Sequence, residues 1–331
     1  MLVTVRICIR ATNWLGDAVM SLPAIRAVRG AFPEAHLAVA ARPWVADLYA
    51  HETAIDGVIP LTGLREGNFD MAILLPNSFH SAWDAWRAGI PERIGYRRDG
   101  RGLLLTRAIR RPEPGEIPRH ERFYYLELLR RAGVIERFPL CDAIYLEGIE
   151  AARAAGAAQF AALGMGGAPV VGISPGAAYG NAKRWLPERF AEAALAFPDA
   201  AVAVFGSAAE RGLCEQVAAR IAGARNLAGQ TTLREFIDLA AACRLFLTND
   251  SGAMHVAAAL RVPTVAVFGA TDDTTTGPAS PLARVVREHV ECSPCLLREC
   301  PIDHRCMERV GVGRVVDAAR ELCEWTHELK S

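Results

Sequence analysis

The chain holds 331 residues, more than one ordinary hydrophobic core organises and enough for two domains of about 150 residues each. With 51% hydrophobic and 22% charged residues it reads as globular, and 37 basic against 37 acidic side chains argue against a dedicated nucleic-acid binder, whose phosphate affinity comes from excess Lys and Arg. No stretch reaches the roughly 18 uncharged apolar residues of a membrane span, and residues 1–10 alternate like a strand rather than a signal peptide, so a cytoplasmic location is expected.

Residues 3–11 form a β-branched run. Val19, Leu22, Ile25, Val28 and Phe32 follow at helical spacing, which predicts strand, turn and helix. Apolar runs at 37–41, 57–61 and 71–75 alternate with helical patterns at 43–50 and 78–88, the βαβ rhythm of a parallel sheet. Residues 92–122, rich in Arg, Gly and Pro, break that rhythm before a helical pattern returns at 122–132. After Gly133 the period fades, then an Ala-rich helix at about 150–163 runs into Gly164-Met165-Gly166-Gly167. The domain boundary is placed there, giving a first domain at 1–160, a second at 161–313, and a final helix at 314–331 expected to cross back onto the first. The second half reads as the cleaner Rossmann-like array: strand 170–174, helix 187–196, strand 201–205, helices 208–221 and 233–242, strand 245–248, helix 252–260 and strand 264–268. The expected architecture is α/β, two parallel-sheet lobes facing a central cleft, with ligands bound beyond the carboxyl ends of the strands.

Two common nucleotide motifs are missing. The Gly164–Gly167 cluster precedes its strand and puts Pro169 where a dinucleotide fingerprint needs its third glycine, and the loop from Gly176 to Lys183 lacks the Gly-Lys-Ser/Thr of a Walker loop. What remains is Ser174-Pro175-Gly176 leading to Lys183-Arg184-Trp185-Leu186-Pro187, and Thr248-Asn249-Asp250-Ser251-Gly252-Ala253-Met254-His255. Each follows an apolar run and precedes a helical pattern, where free backbone N–H groups and the positive helix end attract phosphate. Two such cradles in one domain suggest a diphosphate clamp, with Gly176 and Gly180 admitting the anion and Lys183 supplying a mobile positive charge. The plainer alternatives are a loop whose lysine points to water, an Asp250 or Ser251 that only caps its helix, and a His255 that is a satisfied core histidine. In the first half, Asn13-Trp14-Leu15-Gly16-Asp17 follows the opening strand. Asp17 there either caps the next helix or serves as a general base in group transfer.

Taken together, Asn13–Asp17 with Leu22-Pro23, Ala182-Lys183-Arg184-Trp185, Asn249-Asp250-Ser251-Gly252 with His255, and Phe268-Gly269-Ala270-Thr271-Asp272 resemble the ADP-heptose:lipopolysaccharide heptosyltransferases of glycosyltransferase family 9. Residues 95–106 and a cysteine cluster make the chain most similar to the heptosyltransferase II branch. The resemblance implies a GT-B enzyme, an inverting transferase moving heptose from ADP-heptose to a lipid A-Kdo-heptose-type acceptor of the lipopolysaccharide inner core at the cytoplasmic face of the inner membrane. It implies Asp17 as base and a donor site of Gly176, Tyr179, Gly180, Lys183, Asp250, Ser251, Gly252 and His255, with Glu210 toward the ribose. Where relatives carry hydroxyl side chains before the lysine, this chain has Ala178 and Tyr179. Another nucleotide sugar or acceptor, or a non-catalytic sugar-nucleotide-binding protein, would leave much of this pattern intact. No Asp-x-Asp occurs, which fits a metal-independent transferase, with no cofactor required.

Nine arginines between Arg93 and Arg122 face four acids, Asp99, Glu113, Glu116 and Glu121. Such a run is either a solvated surface or, toward an anionic lipid, an acceptor site drawn from Asn13, Arg97, Arg98, Arg101 and His120 that also touches an anionic membrane. Cys292, Cys295, Cys300 and Cys306 have a spacing that could close a structural zinc site, although unliganded thiols or a reversible disulfide fit the same spacing.

Overall fold

The computed structural model describes residues 4–328, and the chain divides into two units after Glu147. The first unit is built on β1 (Arg6–Arg10), β2 (His36–Ala41), β3 (Gly57–Pro60), β4 (Met71–Leu74), β5 (Glu92–Tyr96) and β6 (Arg107–Ile109), all parallel and ordered β3-β2-β1-β4-β5-β6. Its helices are α1 (Leu15–Met20), α2 (Leu22–Ala31), α3 (Pro43–Ala46), α4 (Phe79–Arg87) and α5 (Arg122–Arg131). The central strands are buried on both faces, so they read as continuous apolar runs rather than alternating ones. The stretch expected to interrupt the rhythm supplies two strands instead. Glu92 and Arg93 at the start of β5, and the brevity and exposure of the edge strand β6, hid them from a periodicity reading.

The second unit repeats the plan with β7 (Val170–Ser174), β8 (Ala201–Val204), β9 (Arg225–Asn226), β10 (Leu245–Asn249), β11 (Thr264–Phe268) and β12 (Ala283–Arg287), parallel in the order β12-β11-β10-β7-β8-β9. Flanking it are α6 (Ile149–Ala162), α7 (Pro187–Leu195), α8 (Arg211–Ala218), α9 (Leu233–Ala242), α10 (Gly252–Ala259), α11 (Asp273–Thr276), α12 (Arg305–Glu308) and α13 (Val312–Glu328). Trp185, Phe190, Ile173, Leu247 and Val267 anchor its core. Two boundaries differ from the sequence reading. The Ala-rich α6 lies against α9, with Ala152 and Phe160 buried, so it belongs to the second unit and the division falls ahead of residue 160. Helix α13 packs on α7, β11 and β12 of its own unit; the last three residues of the expected 314–331 helix lie outside the described residues.

Candidate functional site

In the second sheet the strand order reverses between β7 and β10, and at such a point the loops leaving neighbouring strands diverge and open a crevice at their carboxyl ends. Both sequence cradles leave these two strands. Asn249 ties them together: its Nδ2 donates to the Pro175 carbonyl at 2.7 Å, and its Oδ1 accepts from the Trp185 N–H at 2.9 Å. Trp185 is fully buried and its Nε1 donates to the Val310 carbonyl, so the loop is held where it rejoins the core.

Lys183 is not the mobile surface cation that the sequence suggested. Its Nζ donates to Asp250 Oδ2 at 2.6 Å, Thr271 Oγ1 donates to the same oxygen at 2.6 Å, and the Tyr179 ring centre lies 4.8 Å from Nζ. The lysine side chain is 13% exposed and the aspartate 5%, so the pair is largely withdrawn from water. Ser251 caps α10, its Oγ accepting from Met254 N–H, and Gly252 opens the helix. The first turn of α10 carries no acidic residue, which leaves its positive end available to an anion. His255 lies within the same helix, 5% exposed.

The glycines of the loop are demanded by close approach. A side chain at Gly176 would collide with the Glu210 carboxylate, which therefore sits against the loop; that carboxylate also accepts from Ser207 N–H at 2.9 Å and Ser207 Oγ at 2.8 Å. At Gly180 a side chain would meet the Arg298 backbone. Arg298 belongs to the cysteine-bearing segment, which lies over the loop. Ala182 N–H donates to the Arg298 carbonyl at 3.1 Å, Tyr179 Oη to the Leu296 carbonyl at 2.9 Å, and Cys300 N–H to Asn181 Oδ1 at 3.4 Å. These bonds give the segment a part in shaping the cradle. Its cysteines are free thiols, Cys292 exposed, Cys295 and Cys300 half-buried and Cys306 buried. Burial first, then the neighbouring Cys292, Cys295 and Cys300, push the Cys306 thiol above its ordinary range. Among the described residues no group of three or more His, Cys, Asp or Glu is placed to hold a metal ion. Backbone bonds to the loop help set the path of the segment.

In the first sheet the reversal falls between β1 and β4. Asp17 lies half-buried in the first turn of α1, just past β1, and it is not the N-cap: Trp14 holds that position, without a cap bond from its own side chain. Asn13 Oδ1 accepts from Arg10 Nη2 at 2.7 Å, and the Asn13 carbonyl accepts from Trp44 Nε1 at 2.9 Å, so the predicted acceptor residue is part of the scaffold of the Asp17 loop. Glu121, the N-cap of α5, has its carboxyl pushed above the usual range by burial and then by the charge of Asp17, which places two carboxyl groups in one neighbourhood. His120 beside it is half-buried, its Nδ1 accepting from Arg122 N–H at 3.2 Å.

Of the predicted acceptor arginines, Arg97 and Arg98 are exposed, the latter 3.3 Å from Asp99. Arg101 corrects the expectation: it is fully buried, donating from Nε to the Tyr96 carbonyl at 2.8 Å and from Nη1 to the carbonyls of Pro76 and Ser78 and to Ser81 Oγ. Its task is to satisfy carbonyls at the start of α4. Much of the remaining positive run is neutralised locally, through Arg107 with Glu92 and Arg110 with Glu113 and Glu116. Sequence reasoning missed Arg10, Trp44, Glu121 and Thr271. Only Arg10, a charge closing an apolar strand, and Thr271, inside a quoted motif, gave any signal.

Two Rossmann-like units, each with a polar loop at its switch point and one of them carrying a lysine–aspartate pair beside a helix N-terminus, have the architecture of the GT-B glycosyltransferases. A family model, glycosyltransferase family 9 (heptosyltransferase), matches residues 61–305, and the chain belongs to that family. It is 34% identical over 308 residues to lipopolysaccharide heptosyltransferase 2 of Escherichia coli, covering 85% of this chain and 88% of the relative. It is 33% identical over 314 residues to lipooligosaccharide heptosyltransferase 2 of Haemophilus influenzae, with the same coverage. The solved structure of Escherichia coli ADP-heptose heptosyltransferase II superposes with a TM-score of 0.83 at 32% identity, over 98% of this chain and all of that one. A family 9 glycosyltransferase from Veillonella parvula shares the fold, with a TM-score of 0.82 at 22% identity.

Proposed function

We propose that this glycosyltransferase moves heptose from ADP-heptose to the inner core of lipopolysaccharide, with configuration inverting at the anomeric carbon. The observation that carries the reading is the switch-point cradle, in which Lys183 is fixed by Asp250 beside the open end of α10, in a chain similar over most of its length to heptosyltransferases 2. Asp17 takes the proton of an acceptor hydroxyl as that oxygen bonds to the anomeric carbon. The bond from that carbon to the diphosphate oxygen breaks on the opposite face, and the electron pair leaves with ADP. Lys183 and the N–H groups of Ser251 and Gly252 stabilise the charge gathering on the leaving diphosphate, an arrangement that costs no reorganisation because the groups are already in place. Gly176 and Gly180 let the backbone approach the donor, Tyr179 borders it, Glu210 faces the ribose, Asp250 the heptose and His255 the phosphates. Arg97, Arg98 and His120 receive the anionic acceptor beside Asn13. No described helix is long and apolar enough to cross a membrane; the enzyme reaches a lipid acceptor by peripheral contact with the inner leaflet.

Asp17→Asn tests the assignment. Turnover, followed as ADP released from ADP-heptose with a lipid acceptor, is expected to fall by roughly 10²–10⁴ while ADP affinity is unchanged. Retained turnover removes Asp17 from the mechanism.

A further inference from the structure

Helix α4 carries an inverted face. Its small residues Ser81, Ala82 and Ala85 point into the core, while Phe79, Trp83 and Trp86 stand 43%, 37% and 46% exposed. Spaced i, i+4 and i+7, the three rings form one stripe. They touch one another, with centroids 6.3 Å apart for Phe79 and Trp83 and 5.0 Å for Trp83 and Trp86. The one-turn helix Arg101–Leu104 packs against α4 and presents Leu103, 96% exposed. Buried Arg101 fastens this turn to the start of α4 through Ser78 and Ser81, so the two are held as one surface. Its border is cationic: Arg87 follows Trp86, and Arg97 and Arg98 are exposed on the strand-to-turn connection, with the Arg97 stem over Gly102. Of the three acids in residues 78–104, Asp84 is half-buried and acts on the charge of Arg10, Glu92 pairs with Arg107 and Asp99 with Arg98.

We infer that this stripe is the membrane-docking surface of the enzyme, its occupant an anionic lipid bilayer. Isolated exposed aromatics are ordinary, but three in contact along one helix with small residues turned inward leave apolar area that water does not favour. Tryptophan rings settle at the headgroup level of a bilayer, and arginines at the rim are drawn to an anionic lipid surface. Charge complementarity selects this occupant over a second copy of the chain, because a twofold contact through the stripe would crowd the same arginines together. The inference deepens the lipid-acceptor part of the reading above.

The test is co-sedimentation of the full chain with phosphatidylethanolamine–phosphatidylglycerol vesicles and with phosphatidylcholine vesicles, using Trp83→Gln/Trp86→Gln and, separately, Leu103→Gln. These side chains are exposed, so unchanged melting curves confirm that each variant folds. The wild type is expected to bind the anionic vesicles more tightly than the neutral ones. The double variant is expected to bind them roughly tenfold more weakly or worse, with unchanged ADP affinity and unchanged turnover on a delipidated acceptor. Equal binding by wild type and double variant overturns the surface, as does a wild-type dimer that the substitutions split in sedimentation velocity. If vesicle binding falls as expected but the wild type transfers no heptose, the surface stands and the proposed activity is the part that fails.

Discussion

Asp250→Asn isolates the interaction on which the donor cradle depends. The amide keeps the shape of the carboxylate and can still accept from Thr271, but the 2.6 Å contact with Lys183 loses its opposite charge. At that separation, with an effective dielectric of about 20, the Coulomb attraction is about 6 kcal/mol before desolvation is counted. Removing one member of a buried pair costs about 3–5 kcal/mol in practice, because the other charge stays behind unpaired. With the lysine side chain 13% exposed, water recovers part of that penalty, so about 3 kcal/mol is expected. For a unit the size of residues 148–331, this lowers the melting temperature by roughly 6–12 °C. Thermal melts of wild type, Asp250→Asn, Lys183→Met and the double variant complete the cycle, and the double variant is expected to lose less than the two singles added together. Strict additivity, or two single variants that melt with the wild type, would refute the view that Asp250 holds Lys183 in place.

Gly180→Ala drives a methyl group into the Arg298 backbone, so the loop or the cysteine segment has to shift; ADP affinity, read by calorimetry, is expected to drop about tenfold with a stability loss of about 1–3 kcal/mol. Arg101→Met takes the guanidinium donor from the Tyr96 carbonyl and leaves the Pro76 and Ser78 carbonyls with Ser81 Oγ, and it is expected to cost about 1–3 kcal/mol in urea unfolding; unchanged stability with a raised acceptor KM would return Arg101 to the acceptor site. Glu121 titrates above its ordinary 4.5 in the folded chain, so the folded state binds the proton more tightly, and stability is lost as pH rises through the folded value. Glu121→Gln removes that loss. The variant is expected to melt above the wild type near pH 7, with the difference vanishing below about pH 4; a difference that grows in acid contradicts a carboxyl raised by burial and, after it, by the charge of Asp17.

Much of the site was legible because its signals are local. An apolar run, a Gly- or Asp-bearing turn and a helical pattern put Lys183, Ser251 and Asp17 just beyond strand ends, and the structure puts them there. Arg101 was misread because a charge in a basic stretch looks solvated until the carbonyls of Pro76, Ser78 and Tyr96, brought together only by folding, surround it. Lys183 looked mobile for the same reason, since Asp250 lies 67 positions away in the chain. β5 and β6 escaped notice because edge and near-edge strands lack the unbroken apolar run that marks a strand covered on both faces.

From the order of its residues alone, the chain declares two α/β halves, their phosphate-seeking turns and the resemblance to a transferase family, because each of these is written in segments a few residues long. Strand order is a different kind of fact. That β7 lies beside β10 and β1 beside β4, so that the polar loops fall where each sheet reverses, was decided by non-local pairing of buried strands, which no short stretch encodes.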